Sequence, residues 1–351
     1  MKRVGILGLP QSGKSTLFEI LMQGAGAAAP AGSGREQVGV VRVPDPRVDQ
    51  LSGLYQPKKT TFAQIQFVDS AAAGQASPRS AARGPDLFSA VRNCDCLLVV
   101  VRDFESAAVP AADGVDPERD LRRLEDELIL NDLVIIEGRL EKLAKEIRIG
   151  KKQNEPEHAF LTRLKDRLEA GHALRDETFN KDEDKLARGF QLLSQKPLLV
   201  VYNQDDREAR EVPERRGATL AVGLRAHLER EIVALPEAER ESFRAELGVT
   251  EDGLSLVIRA CYRLLGLISF FTVGPDEVRA WTVRRGDKSV DAAGEIHTDL
   301  AKGFIRAEVI ECDRLLEVGG HAKAREKGWL RLEGREYEVA DGDCLEIRFN
   351  K

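Results

Sequence analysis

The nine residues G-L-P-Q-S-G-K-S-T, 8 to 16, restrict this chain more than any other stretch. They fit G-x-x-x-x-G-K-[ST], with Gly8, Gly13, Lys14 and Ser15 in the required places, directly after the apolar run V-G-I-L and before the helical S-T-L-F-E-I-L. Successive backbone N–H groups in such a loop curl around phosphate oxygens, the lysine reaches the β and γ oxygens, and the hydroxyl ligates Mg²⁺. A strand before and a helix after are the context the motif needs. The sequence therefore predicts a nucleotide cradle of Gly8, Gln11, Ser12, Gly13, Lys14, Ser15 and Thr16, with Lys14 acting on the phosphates and Ser15 as a metal ligand.

Short apolar, β-branched runs recur at Val4 to Leu7, Ile65 to Val68, Leu97 to Val101, Leu198 to Tyr202 and Leu220 to Val222. They show little polar alternation, as expected of strands covered on both faces of a parallel sheet, and helical patterns fall between some of them. The predicted fold class is α/β, a mostly parallel doubly wound sheet. Between Asp116 and Lys196 the rhythm changes: Leu133, Ile136, Leu140, Leu143 and Ile147 step by three and four, and Leu161, Leu164 and Leu168 repeat the step. That pattern predicts an antiparallel helical hairpin inserted into the sheet domain, with its tip near residues 150 to 156. After residue 266, V-R-A-W-T-V, I-R-A-E-V-I and C-L-E-I-R-F are strand-like runs separated by Gly, Asp and Pro, the pattern of a small α+β domain. The expected division is 1–115 with 197–266 for the nucleotide domain, 116–196 for a helical coiled-coil hairpin, and 267–351 for the last domain. The low-complexity pieces 25 to 34 and 71 to 85 are expected to be loops.

Composition excludes several classes. Apolar residues at 42% and charged residues at 32% suit a folded chain, no run of 18 apolar residues exists, and the expected location is cytoplasmic, with no membrane partner. Cys94, Cys96, Cys261, Cys312 and Cys344 form no C-x-x-C pair and read as small buried groups. The five histidines are scattered, so no protein-built metal cage is expected. A formal charge of −6 gives no support to a globally basic nucleic-acid binder, and no DNA sequence recognition is expected.

Base recognition points to the end of the fourth apolar run, L-V-V-Y-N-Q-D-D, where Asn203 and Asp206 stand in an Asn-x-x-Asp relation with Gln204 between them. An Asp there can accept from two donors on a guanine edge, whereas adenine offers an acceptor at its ring nitrogen. A second motif, V-D-S-A-A-A-G-Q at 68 to 75, sits where a nucleotide-hydrolysing switch carries Asp-x-x-Gly. Asp69 is in place as a catalytic candidate, and Ala72 occupies the glycine position.

These segments, together with V-G-V-V-R-V-P-D-P-R-V-D, E-V-R-A-W-T, G-E-I-H-T-D-L-A-K-G-F-I-R-A-E-V-I and D-G-D-C-L-E-I-R-F-N, resemble the Obg-like ATPase family known as YchF over nearly the whole chain. The resemblance implies a P-loop G domain, an inserted helical hairpin and a C-terminal TGS-type domain of ubiquitin-like fold. It also implies Mg²⁺-dependent binding and slow hydrolysis of purine nucleotides, commonly ATP, in association with ribosomes or translation factors.

The chain departs from that pattern at several places. Gln11 and Ser12 replace the Asn and Val of G-L-P-N-V-G-K-S, and Ser33 is the only hydroxyl near the family's switch I threonine, making it the candidate second Mg²⁺ ligand. Asp206 stands where the family tends to have Glu, and Gln204 where guanine-specific relatives have a lysine over the base, so ATP and GTP both stay open. The family's D-x-A-G-L is rewritten at Ala72 and Ala73, so weak or slow hydrolysis is expected. The alternatives are a non-hydrolysing adaptor that uses the hairpin and TGS-like domain as interaction modules, and a GTP-specific switch.

Two patches suggest partners. Lys142, Lys145, Arg148 and Lys152 collect with Arg139 and Lys151 near the hairpin tip, interrupted by Glu141 and Glu146; the run reads either as a solvated face or as a ribosomal RNA contact. Trp281 alternates into a buried face of E-V-R-A-W-T-V, which places it in a core rather than on an RNA stacking surface, and His297 reads as a turn-stabilising residue.

Overall fold

The computed structural model describes residues 1–24, 28–31, 36–70, 88–111, 113–206, 210–215, 217–249 and 252–350. In chain order the strands are β1 (Arg3–Gly8), β2 (Ala28–Ala31), β3 (Glu36–Arg42), β4 (Lys59–Thr61), β5 (Gln64–Ser70), β6 (Cys96–Asp103), β7 (Leu198–Gln204), β8 (Thr219–Leu224), β9 (Leu267–Thr272), β10 (Glu277–Arg284), β11 (Phe304–Glu311), β12 (Arg331–Glu333) and β13 (Asp343–Phe349). The chain divides into two compact units, Met1–Val41 with Gln66–Leu264, and Arg42–Ile65 with Leu265–Lys351.

The first unit holds the predicted parallel sheet, in the order β2-β3-β5-β1-β6-β7-β8. β6 and β7 are buried along their whole length and run parallel in register from Leu97↔Leu198 to Asp103↔Gln204, which is why both read as unbroken apolar runs. The chain steps from β1 to β5 on one side and to β6 on the other, so the carboxyl end of β1 lies at a switch in strand order, where open α/β sheets bind ligands. Helix α1 (Lys14–Gly24) buries Leu17, Phe18, Ile20 and Leu21. Residues 28–31, expected within a loop, instead form the antiparallel edge strand β2 against β3. The run A-A-P-A contains no β-branched or aromatic residue, so it carried no strand signal.

After α2 (Pro46–Tyr55) and the single-turn α3 (Ser89–Arg92), the inserted region begins with α4, Pro117–Arg148. Asp116 caps it by accepting from the Arg119 N–H at 2.9 Å, and Pro117 fills the first position, where a missing N–H costs nothing. Its first turns bury Leu121, Leu124 and Leu128 against the sheet, while Ile129, Ile136 and Leu143 pack on Phe160, Leu161, Leu164 and Leu168 of α5 (Glu155–Glu169). The hairpin is broader than two helices: Leu174, Ala187 and Leu192 complete its core, the second of them from α6 (Lys181–Phe190), whose capping box pairs Asn180 with Glu183. Between the two clusters Asp132, 0% exposed, accepts from the N–H groups of Leu193 at 2.8 Å and Ser194 at 2.7 Å. The helices α7 (Ala226–Ala234), α8 (Glu237–Glu246) and α9 (Gly253–Leu264) follow β8.

The second unit is a six-stranded mixed sheet, β12-β11-β13-β9-β10-β4, with Ile268, Phe270, Val283, Phe304, Val309 and Leu345 in its core. Residues 42–65, expected in the nucleotide domain, belong to this unit instead. β4 is three residues long and pairs parallel with β10 from Lys59↔Glu277 to Thr61↔Arg279, a stretch too short and polar to stand out in the sequence. The segment V-P-D-P-R finds its purpose here. Asp45 caps α2, Arg47 binds both Asp45 and Asp341, and the Arg47 guanidinium lies 5.1 Å from the centre of the Phe271 ring.

Trp281 is half-buried and packs against the core of the second unit, its ring stacked on Phe270 with centroids 6.4 Å apart. Its indole N–H donates to Thr272 Oγ1 at 2.9 Å, and the Arg279 guanidinium covers its ring at 3.8 Å. His297 stabilises a turn, its Nδ1 accepting from the Asp299 N–H at 3.1 Å. All five cysteines are buried thiols outside any disulfide. Among the described residues no cluster of His, Cys, Asp or Glu could hold a metal, and no helix is long and apolar enough to cross a membrane.

Candidate functional site

The phosphate loop joins the end of β1 to the first turn of α1, and its glycines answer to close approaches. A Cβ on Gly13, whose φ is +96°, would fall 2.1 Å from Asn203 Nδ2; one on Gly8 would fall 2.5 Å from Ser12 Oγ and 2.9 Å from the Val100 carbonyl. Asn203, at the end of β7, donates from Nδ2 to the Ser12 carbonyl at 3.0 Å and accepts at Oδ1 from the Ala226 N–H at 3.2 Å. It braces the loop against the start of α7. Gln11 holds φ +66°, a region that bulky residues rarely enter.

Lys14 is buried and donates to Asp69 Oδ1, also buried, which the β1–β5 register places beside Ile6. Two predicted residues, 55 positions apart in sequence, thus meet as an ion pair at the mouth of the loop. Ser15 is exposed and Thr16 half-buried on the first turn of α1. Ser33, Ala72 and Ala73 lie outside the described residues.

Beyond Gly13 and Thr16 opens a cleft of about 470 Å³, with Phe104, Asn203, Asp206 and His227 among its walls. Gln204 does not lie free across it. Its Nε2 donates to the Arg210 carbonyl at 2.8 Å, fastening the turn that follows β7. Asp206 faces α7, with Oδ1 accepting from the Leu228 N–H at 3.0 Å and Oδ2 2.6 Å from His227 Nδ1.

Reading the sequence missed Arg102. This residue is 5% exposed, donates from Nε to the Phe104 carbonyl at 3.1 Å and from Nη2 to the Val109 carbonyl at 2.6 Å, and its guanidinium sits 4.7 Å from the centre of the Phe104 ring. It fixes the segment that carries one wall of the cleft. The available signal was an arginine closing the apolar run L-L-V-V-V, where a charge needs partners to be buried.

A phosphate loop after β1, a carboxylate at the end of β5 and an Asn-x-x-Asp turn after β7, gathered at the carboxyl ends of a parallel sheet, define a P-loop nucleotide-binding protein of the G-domain class. Comparison with known proteins narrows the class. A family model described as YchF-GTPase_C, Protein of unknown function (DUF933), matches residues 267–350. The chain is 38% identical to the Ribosome-binding ATPase YchF of Bacillus subtilis (strain 168), over 99% of this chain and 98% of that protein. It is 35% identical to the protein of the same name from Escherichia coli O157:H7, over 99% of both. A solved structure of the Schizosaccharomyces pombe YchF GTPase superposes with a TM-score of 0.83 at 28% identity, covering 99% of this chain and 97% of that one. The chain belongs to the YchF family.

Proposed function

We propose that the chain binds a purine nucleoside triphosphate with Mg²⁺ in the cleft between the phosphate loop and β7, hydrolyses it slowly, and works at the ribosome, as the names of its relatives indicate for them. The observation that carries this reading is the loop itself, braced by Asn203, with a glycine wherever a side chain would collide and with the buried Lys14 at its mouth. The oxygen donors nearby suit a hard cation: the exposed Ser15 hydroxyl would ligate it directly, and Asp69 would hold its water shell. When bound, Mg²⁺ neutralises phosphate charge. Lys14 would exchange Asp69 for phosphate oxygens, keeping one buried ion pair in place of another.

Slow hydrolysis follows from the sequence of the switch. A glycine lets a backbone N–H approach the γ-phosphate, and Ala72 carries a cost of about 1 kcal/mol or more if that backbone must be left-handed. The same substitution favours the second reading, a nucleotide-dependent adaptor without turnover. Single-turnover hydrolysis at saturating Mg²⁺ and ATP or GTP separates the two: slow product formation that disappears in Lys14→Ala supports the ATPase reading, and no product in the wild type supports the adaptor.

A further inference from the structure

The carboxylate expected to read a guanine edge is engaged elsewhere. To grip guanine through its ring N–H and its amino group, Asp206 must offer both oxygens as a fork. Here one oxygen accepts from the Leu228 N–H at 3.0 Å and the other meets the His227 ring at 2.6 Å. An ionised carboxylate only accepts, so His227 Nδ1–H is the donor. Leu228 belongs to the first turn of the nine-residue α7, whose positive end adds to the attraction. Arg225 Nη1 lies 3.4 Å from the Asp206 carbonyl and ties the backbone to the same helix end. Adenine needs no acidic fork. His227 itself lines the cleft, 57% exposed, with Glu231 at 4.0 Å one turn further along α7.

We propose that His227 is a specificity-determining residue of the nucleotide site: it holds Asp206 against α7 and so cancels the guanine preference that the Asn-x-x-Asp spacing would otherwise confer. The proposal rests on the nucleotide-binding reading above and deepens it. Guanine has to compete with the His227 ring and the Leu228 N–H for the orientation of Asp206, whereas adenine makes no demand on that carboxylate.

The test is equilibrium titration of Mg²⁺-ATP, Mg²⁺-GTP and inorganic tripolyphosphate into the full chain as wild type, His227→Ala, His227→Asn, Asp206→Ala and the His227→Ala/Asp206→Ala double variant. The wild type is expected to bind ATP at least as tightly as GTP. His227→Ala is expected to tighten GTP relative to ATP by about tenfold, equivalent to about 1.4 kcal/mol, and the double variant to lose that gain. Tripolyphosphate affinity reports the integrity of the phosphate loop in each variant. An ATP-to-GTP ratio unchanged in both His227 variants overturns the proposal. So does a GTP gain that survives in the double variant, or a wild-type GTP affinity that collapses in Asp206→Ala. A wild type that binds tripolyphosphate but neither nucleotide overturns the nucleotide reading instead.

Discussion

Gln11 sits at φ +66° in the phosphate loop, and a glutamine pays for that conformation with its Cβ. Asparagine enters the left-handed region more readily, which supplies a physical reason for the asparagine at this place in the family's motif. Gln11→Asn is expected to stabilise the first unit by about 0.5–1 kcal/mol, read as a raised denaturation midpoint; a lowered midpoint would contradict the account. The substitution was visible in the sequence, but its conformational cost was not, because no residue pattern reports a single φ angle. Glu308 makes the second residue-scale case. Burial pushes its carboxyl upward, yet hydrogen bonds from Arg325 and Arg348 outweigh burial and hold it below the ordinary 4.5. With the folded value depressed, its contribution is present above pH 4.5 and is lost as pH falls through the folded value. Stability of the second unit should therefore fall more steeply with acid in the wild type than in Glu308→Gln, and parallel acid profiles would contradict the sign.

At the scale of elements, α4 is held at the junction of two cores by Asp132. Asp132→Ala leaves the N–H groups of Leu193 and Ser194 without their acceptor and should cost about 3 kcal/mol. Chemical denaturation reads the loss, and faster hydrogen exchange at residues 193 and 194 should accompany it. Burial raises the Asp132 carboxyl despite those bonds, so in the wild type its contribution falls as pH rises from the unfolded value, opposite in sign to Glu308. Arg102 acts on a second element, the segment from Phe104 to Val109. Arg102→Met should weaken ATP by about tenfold while sparing tripolyphosphate, since its two carbonyl contacts shape only the base side of the cleft. The long helices of the insertion were legible because their apolar steps persist over many turns. α6 and β4 were not: one is a ten-residue helix that sets only Leu186, Ala187 and Phe190 against the hairpin core, and the other is three residues long.

For the whole molecule, the parallel sheet could be read from apolar runs alone, while the path of the chain between units could not. Residues 42–65 leave the first unit and return to it, contributing α2 and β4 to the second, and no composition shift marks either crossing. Of the expected basic tip, Arg139 is bound to Glu157 at 2.7 Å and 2.8 Å and drops out of the patch. Lys142, Lys145, Arg148 and Lys152 remain exposed, with no ion pair among the described residues. If they neutralise RNA phosphates, removing all four charges should flatten the salt dependence of ribosome co-sedimentation; an unchanged salt slope would assign the patch to solvent. The central claim, that the loop from Gly8 to Thr16 is a working nucleotide cradle, is tested most directly by calorimetric titration of Mg²⁺-ATP into nucleotide-free protein. One saturable site per chain is expected in the wild type, weakened by about a hundredfold in Lys14→Ala through loss of a charge-assisted contact to phosphate. Absence of binding in the wild type, or undiminished binding in Lys14→Ala, would contradict it.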